Sequence, residues 1–122
     1  MSTLVLELKQ GESLMVNGAT IRFKTRARIE LMSRSRFMFG KQIMAAAEAT
    51  TPARQIYYDV QTLYVGPPEG RDGARASLGA RLAPLEGELV AALRAALESE
   101  ALFEALKLAR QLVRQERSSH AG

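Results

Sequence analysis

Alternation of apolar and polar positions dominates the first third of the chain. Leu4, Leu6 and Leu8 alternate with Val5, Glu7 and Lys9, the period-two pattern of a strand with one buried face. Gly11-Glu12 marks a turn, Ser13–Val16 reads as a second short strand, and Asn17-Gly18 follows it. An Asn-Gly pair is the strongest local hairpin signal, because a two-residue primed turn needs φ > 0 at both positions. Beyond it, Ile21, Phe23, Ala27, Ile29 and Leu31 take odd positions, and Arg22, Lys24, Arg26, Arg28 and Glu30 take even ones. With that register carried through the turn near Thr25, the odd positions face a core and a file of cations faces outward. Phe37, Met38, Phe39 and Ile43 supply a last apolar strand or a strand-to-helix corner. The pattern predicts an antiparallel β-unit of four or five short strands over residues 1–48.

After a connector of small residues the period changes. Thr51-Pro52 is a helix start: Thr51 can accept from free backbone N–H groups, and Pro52 suits the first helical position because its own N–H is missing. The helix is expected to reach about Tyr64, with Ile56, Val60 and Leu63 as a stripe that Tyr57 and Tyr64 widen. Tyr57-Tyr58 are capable of stacking on bases, but their match to the apolar stripe assigns them to the core. Residues 66–73, Gly-Pro-Pro-Glu-Gly-Arg-Asp-Gly, are expected to exclude regular structure and to form an exposed loop. Residues 74–81 admit a short helix weakened by Gly79. Pro84 is placed at the opening of the next helix, since mid-helix it removes a hydrogen bond. Leu85, Leu89, Leu93 and Leu97 then recur every four residues. Ser99 is the expected N-cap of a last helix with Leu102, Ala105, Leu106, Ala109, Leu112 and Val113 on one face. Periodicity leaves one long rod open, but a helix hairpin buries both stripes within one chain. The fold class is α+β: the β-unit followed by about three α-helices over residues 49–122, in one compact domain.

Composition sharpens this only in places. A chain of 122 residues is one domain's worth and buries a moderate core without a disulfide or metal staple. Cysteine is absent, which removes disulfides, thiolate ligands and a Cys nucleophile together and suits a reducing cytoplasm. No apolar run approaches the roughly 18–20 residues needed to span a bilayer, and no secretory signal pattern opens the chain. A cytoplasmic protein without a membrane partner is expected. Charge is unevenly placed. Residues 1–54 carry nine Lys/Arg against four Asp/Glu, a net +5, and residues 55–122 carry eight against nine, a net −1. Such asymmetry points to a polyanionic partner for the β-unit.

Catalytic and metal chemistry find little support. The one histidine, His120, lies in a polar tail, and without Cys or a second His the common zinc spacings do not exist. Glu86/Glu88 and Glu98/Glu100 are i,i+2 pairs, which point to different sides of a helix. The glycines match neither a phosphate loop nor a dinucleotide fingerprint. No enzyme, metal or cofactor is expected. The basic strand positions have two readings. Alternating Arg and Lys on an exposed strand prevents edge-to-edge aggregation, and an Arg-rich β-surface also suits single-stranded or looped RNA. It lacks the aromatic pair of an RNA-recognition-motif sheet and the basic recognition helix of a helix-turn-helix protein. On the RNA reading, Lys9, Arg22, Lys24, Arg26, Arg28, Arg34, Arg36 and Lys41 contact phosphates.

Three stretches carry a family resemblance. Leu6-Glu7-Leu8-Lys9-Gln10-Gly11-Glu12 through Val16-Asn17-Gly18-Ala19 resembles the start of the flagellar-biosynthesis repressor family, FlbT. Thr51-Pro52-Ala53-Arg54-Gln55-Ile56-Tyr57-Tyr58 with Gln61-Thr62-Leu63-Tyr64 resembles that family's central helix, and Glu104-Ala105-Leu106-Lys107 its C-terminal pattern. The resemblance implies a bacterial post-transcriptional regulator that acts on the 5' leader of flagellin mRNA, by repression with transcript decay or by activation. It implies the regulator FlaF, or flagellin, as a protein partner. A weaker likeness lies in Leu8-Lys9-Gln10-Gly11-Glu12-Ser13-Leu14-Met15-Val16, which resembles the opening of CsrA-type carbon-storage regulators, intertwined β-dimers that hold RNA between strands of two subunits. Lys9 and Lys41 match cations of that family's first and last strands, while its other first-strand arginine falls at Leu8. A homo-oligomer, most simply a dimer through the β-units, is expected, because a small sheet with one apolar face is marginal alone. The rival function class is a non-enzymatic protein-interaction adaptor, whose helical hairpin grips flagellin, its chaperone or FlaF in flagellum assembly. The loop at residues 66–73 is the expected place for the two functions to part, with RNA binding in residues 1–65.

Overall fold

A computed structural model describes residues 4–33 and 35–121. Five strands come first: β1 (Leu4–Leu8), β2 (Ser13–Val16), β3 (Ala19–Arg22), β4 (Ala27–Leu31) and β5 (Phe37–Phe39). Four helices follow, α1 (Pro52–Val65), α2 (Arg71–Leu82), α3 (Glu88–Glu98) and α4 (Leu102–Ala121). The α+β class is as the sequence predicts, with one more helix.

The strands form two antiparallel sheets. β1 pairs with β4, Leu6 opposite Ile29 and Leu8 opposite Ala27, while the second sheet runs β3-β2-β5. Asn17 (φ 49°) and Gly18 (φ 85°) form the primed turn between β2 and β3, closing on Val16 opposite Ala19 as a two-residue hairpin requires. Gly11 (φ 88°) sends the chain from the first sheet to the second. Period-two geometry then makes three layers. Leu14, Val16, Phe37 and Phe39 turn toward the ribbon, meeting Leu6, Leu8, Phe23, Ile29 and Leu31 in a small core. Met15 and Met38 turn the other way, into the larger core of the helices. The three-stranded sheet is thus the middle layer: β2 and β5 are covered on both sides, while β3 is exposed along its whole length.

α1 is the centre of the helical layer. Thr51 Oγ1 accepts from Arg54 N–H at 3.3 Å, and Pro52 holds the first position. The Glu116 carboxylate of α4 also reaches this terminus, accepting from Ala53 N–H at 3.1 Å and from the Thr51 hydroxyl. Ile56, Tyr57, Val60 and Leu63 are buried with Leu78 and Leu82 of α2, Leu93 of α3 and Leu102, Ala105, Leu106 and Ala109 of α4. Arg81 ties α2 to α1, donating to Asp59 at 3.1 Å and to Gln55 at 2.7 Å.

Three sequence expectations are corrected. Residues 66–73 are not an irregular loop: Gly66 is buried, Pro68–Gly70 make one 3-10 turn, and Arg71, Asp72 and Gly73 already belong to α2. The glycines each cost this helix about 0.5–1 kcal/mol, but Ala74, Leu78 and Leu82 at i, i+4, i+8 are buried on one face, and that packing prevails. At Gly66 an added Cβ would stand 2.6 Å from the Thr62 carbonyl oxygen, so glycine lets the chain fold back against the end of α1. Pro84 does not open α3. It stops α2; the carbonyls of Leu82, the last residue of α2, and of Leu85, just beyond it, receive the Arg94 guanidinium, and Gly87 (φ 116°) precedes α3. Ser99 does not cap α4. It ends α3, with Glu100 (φ 60°) left-handed, Glu100 N–H bonded to Leu97 O at 3.2 Å and Ala101 N–H to Ala96 O at 2.9 Å. This paired closure satisfies the last carbonyls of α3 and turns the chain into the antiparallel hairpin.

Candidate nucleic-acid interface

Lys9, Lys24 and Arg26 lie on the two strand connections that cross between the sheets, which Gly11 N–H joins by a 2.7 Å bond to Phe23 O. Lys9 N–H is held at 2.7 Å by Glu12 Oε1. Arg22 stands opposite Ser13 in the β2–β3 register. Ser13 in turn shares a surface depression of about 510 Å³ with Gly11, Glu12, Gly40, Lys41 and Glu48. Gly40 (φ 57°) takes a left-handed turn there, so close to Glu12 that a Cβ would meet Oε2 at 2.9 Å. Lys9, Arg22, Lys24 and Lys41 therefore gather around one end of the middle sheet.

The other predicted cations lie elsewhere. Arg28 is opposite Glu7 on the outer face of the ribbon, and both border a shallow depression with Arg26. Arg22 shares the parity of the face that Met15 turns to the helices, whereas Arg28 looks outward from the ribbon. The single outward file expected from the alternation is thus divided, because the chain changes sheets at residues 23–26. Arg36 lies with its guanidinium carbon 6.0 Å from the centroid of the Tyr64 ring. Burial raises the Tyr64 phenol above its usual pKa, and the nearby Arg36 charge acts in the opposite direction. Arg34 falls outside the described residues.

A deeper feature borders Lys41. Residues 41–50 cross the open side of α1 and α4 and leave a cleft of about 560 Å³. Lys41, Arg54, Arg110 and Arg117 line it together with Glu48, Ile43, Met44, Tyr57 and Val113. The crossing segment is pinned from α1: buried Gln61 accepts from Met44 N–H at 2.8 Å and donates to Met44 O at 3.0 Å. Tyr57 Oη donates to Gln42 O at 2.7 Å and receives Arg110 at 3.3 Å. Sequence reading did not single out Arg54, Arg110 or Arg117. The i, i+3, i+7 spacing of Arg110, Val113 and Arg117 on α4 was the legible signal, but nothing in it tells which segment lies opposite.

Among the described residues Arg75 pairs with Glu100 at 2.9 Å and Arg81 with Asp59 at 3.1 Å. Neither involves a cation of the β-layers or of the cleft. No group of three or more His, Cys, Asp or Glu among the described residues is placed to hold a metal. No helix among them is long and apolar enough to cross a membrane.

Comparison with known proteins places these features in a family. The family model described as "Flagellar protein FlbT" matches residues 4–119. The chain is 34% identical to the "Probable flagellum biosynthesis repressor protein FlbT" of Mesorhizobium japonicum, over 99% of this chain and 87% of that protein. It is 33% identical to the "Probable flagellum biosynthesis repressor protein FlbT 2" of Bradyrhizobium diazoefficiens, over 88% of this chain and 73% of that one. A like-named protein of Chelativorans sp. is 31% identical over 92% and 71%. No solved structure matches the chain significantly. The match across both the β-layers and the helices makes the chain a member of the FlbT family of flagellar proteins.

Proposed function

We propose that this protein is a non-enzymatic, cytoplasmic regulator of flagellum synthesis that binds the 5' leader of flagellin mRNA and controls its translation or decay. The names of its relatives, flagellum biosynthesis repressors, support the regulatory half of this reading. The observation that carries the RNA half is the state of the cations: Lys9, Arg22, Lys24, Arg26, Arg28 and Lys41 are all exposed, and no ion pair among the described residues engages them. An exposed cation without a partner is available to neutralise phosphate and release its counterions.

The test is binding to a flagellin leader RNA against a scrambled RNA at two salt concentrations. Changing Arg22, Lys24 and Arg28 to Gln leaves the buried cores untouched. For single strands, log affinity falls against log salt by about 0.7 per phosphate contact, so losing three contacts flattens the slope by about 2. A folded triple variant with an unchanged slope would show that these side chains only keep the sheets soluble.

The protein is further proposed to act as a homo-oligomer through the ribbon. Among the described residues β1 and β4 pair only with each other, leaving an outer edge on each, and Leu4, Val5 and Met32 are exposed on this ribbon. Edges of this kind pair with a second chain or aggregate. Sedimentation of the intact chain at micromolar concentration should show a symmetric dimer, and a monomer alone would defeat this part.

The adaptor reading has one observation of its own. Phe103 on α4 is 55% exposed, tilted against Tyr64 with centroids 5.9 Å apart, and Lys107 Nζ lies 4.8 Å from its ring centroid. An exposed aromatic of this kind is a common anchor for a protein partner. Capture of flagellin or FlaF by a chain that binds no leader RNA would replace the RNA reading.

A further inference from the structure

We infer that the cleft between residues 41–50, α1 and α4 binds a single nucleoside phosphate, either one nucleotide of an RNA strand or a free nucleotide. Its volume of about 560 Å³ lies within the roughly 300–1,000 Å³ of small-molecule sites. Its sign is positive. Lys41, Arg54, Arg110 and Arg117 face one carboxylate, Glu48, and the neighbouring Glu116 is already committed to Thr51 and to the Ala53 N–H. These cations come from three separate elements and converge on one concavity, which focuses a positive potential where dispersed surface charges do not.

The α1 terminus is not the anion site, since its first free N–H groups are satisfied by Thr51 and Glu116. The arginine side chains are. The side chains of Arg54 and Arg117 have no hydrogen-bond or ion-pair partner among the described residues, so their guanidinium groups are free to grip phosphate oxygens in pairs. The rest of the lining suits a nucleoside better than phosphate alone. Ile43, Met44 and Val113 present apolar surface, and an arginine plane stacks on a base. Glu48 Oε1 is occupied by Ala45 N–H at 2.8 Å, while the carboxylate keeps acceptor capacity for a ribose hydroxyl or a base amino group. The bonds from Gln61 and Tyr57 hold the segment in place before any ligand arrives, which lowers the ordering cost of binding. Lys41, Ile43 and Glu48 also border the depression beside Ser13, so a strand lying along the middle sheet has a continuous route into the cleft.

The test uses the intact chain. AMP, GMP, CMP, UMP and inorganic phosphate are each titrated while the amide chemical shifts are followed. At least one monophosphate should shift Ile43, Met44, Tyr57 and Arg110 saturably. Arg54→Gln with Arg117→Gln should weaken that binding by about tenfold or more, the usual consequence of losing hydrogen bonds to charged groups. One arm rests on the RNA reading above. If the natural ligand is a nucleotide of RNA, the same double variant weakens leader-RNA binding and the monophosphate competes with RNA. If it is a free nucleotide, RNA binding is unchanged while monophosphate binding is lost. The strand variant with Arg22, Lys24 and Arg28 changed lies outside the cleft and tests the RNA reading separately. Absence of cleft shifts with all four monophosphates overturns the inference. So does inorganic phosphate that saturates the same shifts equally well. The titration of the unaltered protein decides the matter even where a variant folds poorly.

Discussion

Separating residues 1–65 from residues 72–122 is expected to abolish cooperative folding of the first piece. The Pro/Gly composition of residues 66–73 invites the opposite view, that few contacts cross there and each half stands alone. The structure places α1 on the first side of the cut and the helices that cover it, α2 and α4, on the second, leaving Met15, Met38 and residues 42–44 against it. Ile56, Val60 and Leu63 are essentially inaccessible, packed with Leu78 and Leu82 of α2 and Leu106 and Ala109 of α4. Each large apolar side chain returned to water costs about 1.5–3 kcal/mol, against a net stability of about 5–15 kcal/mol for a whole domain. The capping of α1 by Glu116 is lost as well. Circular dichroism melts and sedimentation of each piece, and of an equimolar mixture, give the answer. The expected result is no cooperative transition for residues 1–65 alone and recovery of structure on mixing. A monomeric, cooperatively melting fragment of residues 1–65 would sink the prediction and restore the separable RNA-binding half.

The second large effect is expected at Gln61. Among the described residues it is the one buried polar or charged side chain, 3% exposed, and it holds both the N–H and the carbonyl of Met44. Gln61→Leu keeps most of the volume and removes both bonds. Leaving a buried donor or acceptor unsatisfied costs about 1–3 kcal/mol. With Met44 only partly buried, a total of about 2 kcal/mol is expected, lowering Tm by roughly 8 °C for a chain of this size. The loss is local in a way that a core cavity is not. Hydrogen exchange at Ile43 and Met44 should accelerate more than at Val60 or Leu93, because the segment is released while the helices stay packed. Uniform acceleration across the helices, with no excess at Met44, would show that Gln61 is a packing residue and not a latch. The cleft depends on that latch, so nucleotide-induced shifts should weaken in the same variant.

Much of this molecule was legible in the order of its residues. The alternation identified Leu6, Leu8, Phe23, Ile29 and Leu31 as members of the small core, because a strand has only two faces, whereas Leu4 and Ile21, of the same parity, lie exposed. Asn17-Gly18 determined the hairpin between β2 and β3, and Thr51-Pro52 the start of α1, because each acts through the backbone of its own few residues. The motifs at residues 6–19 and 51–64 likewise indicated the FlbT family that the whole-chain comparison establishes.

What only the tertiary structure decided is how those pieces face one another. The Arg22–Arg28 file reads as one surface in sequence, yet the chain passes from the middle sheet to the outer ribbon between them, and strand pairing across distant residues set that division. Residues 71–73 are helical although Gly, Asp and their flanking prolines argue otherwise, because burial of Ala74, Leu78 and Leu82 on α1 outweighs the local preference. Pro84 and Ser99 stop helices where local rules place starts, since the tertiary contacts of Arg94 and the turn at Glu100 complete those ends. The cleft is the extreme case. Lys41, Arg54 and the Arg110–Arg117 pair of α4 lie far apart along the chain, and they converge because Gln61 and Tyr57 hold residues 42–44 to α1 and Glu116 joins α4 to the start of α1. Periodicity reports which face of an element is buried; the partner that buries it is set by packing complementarity over the whole chain.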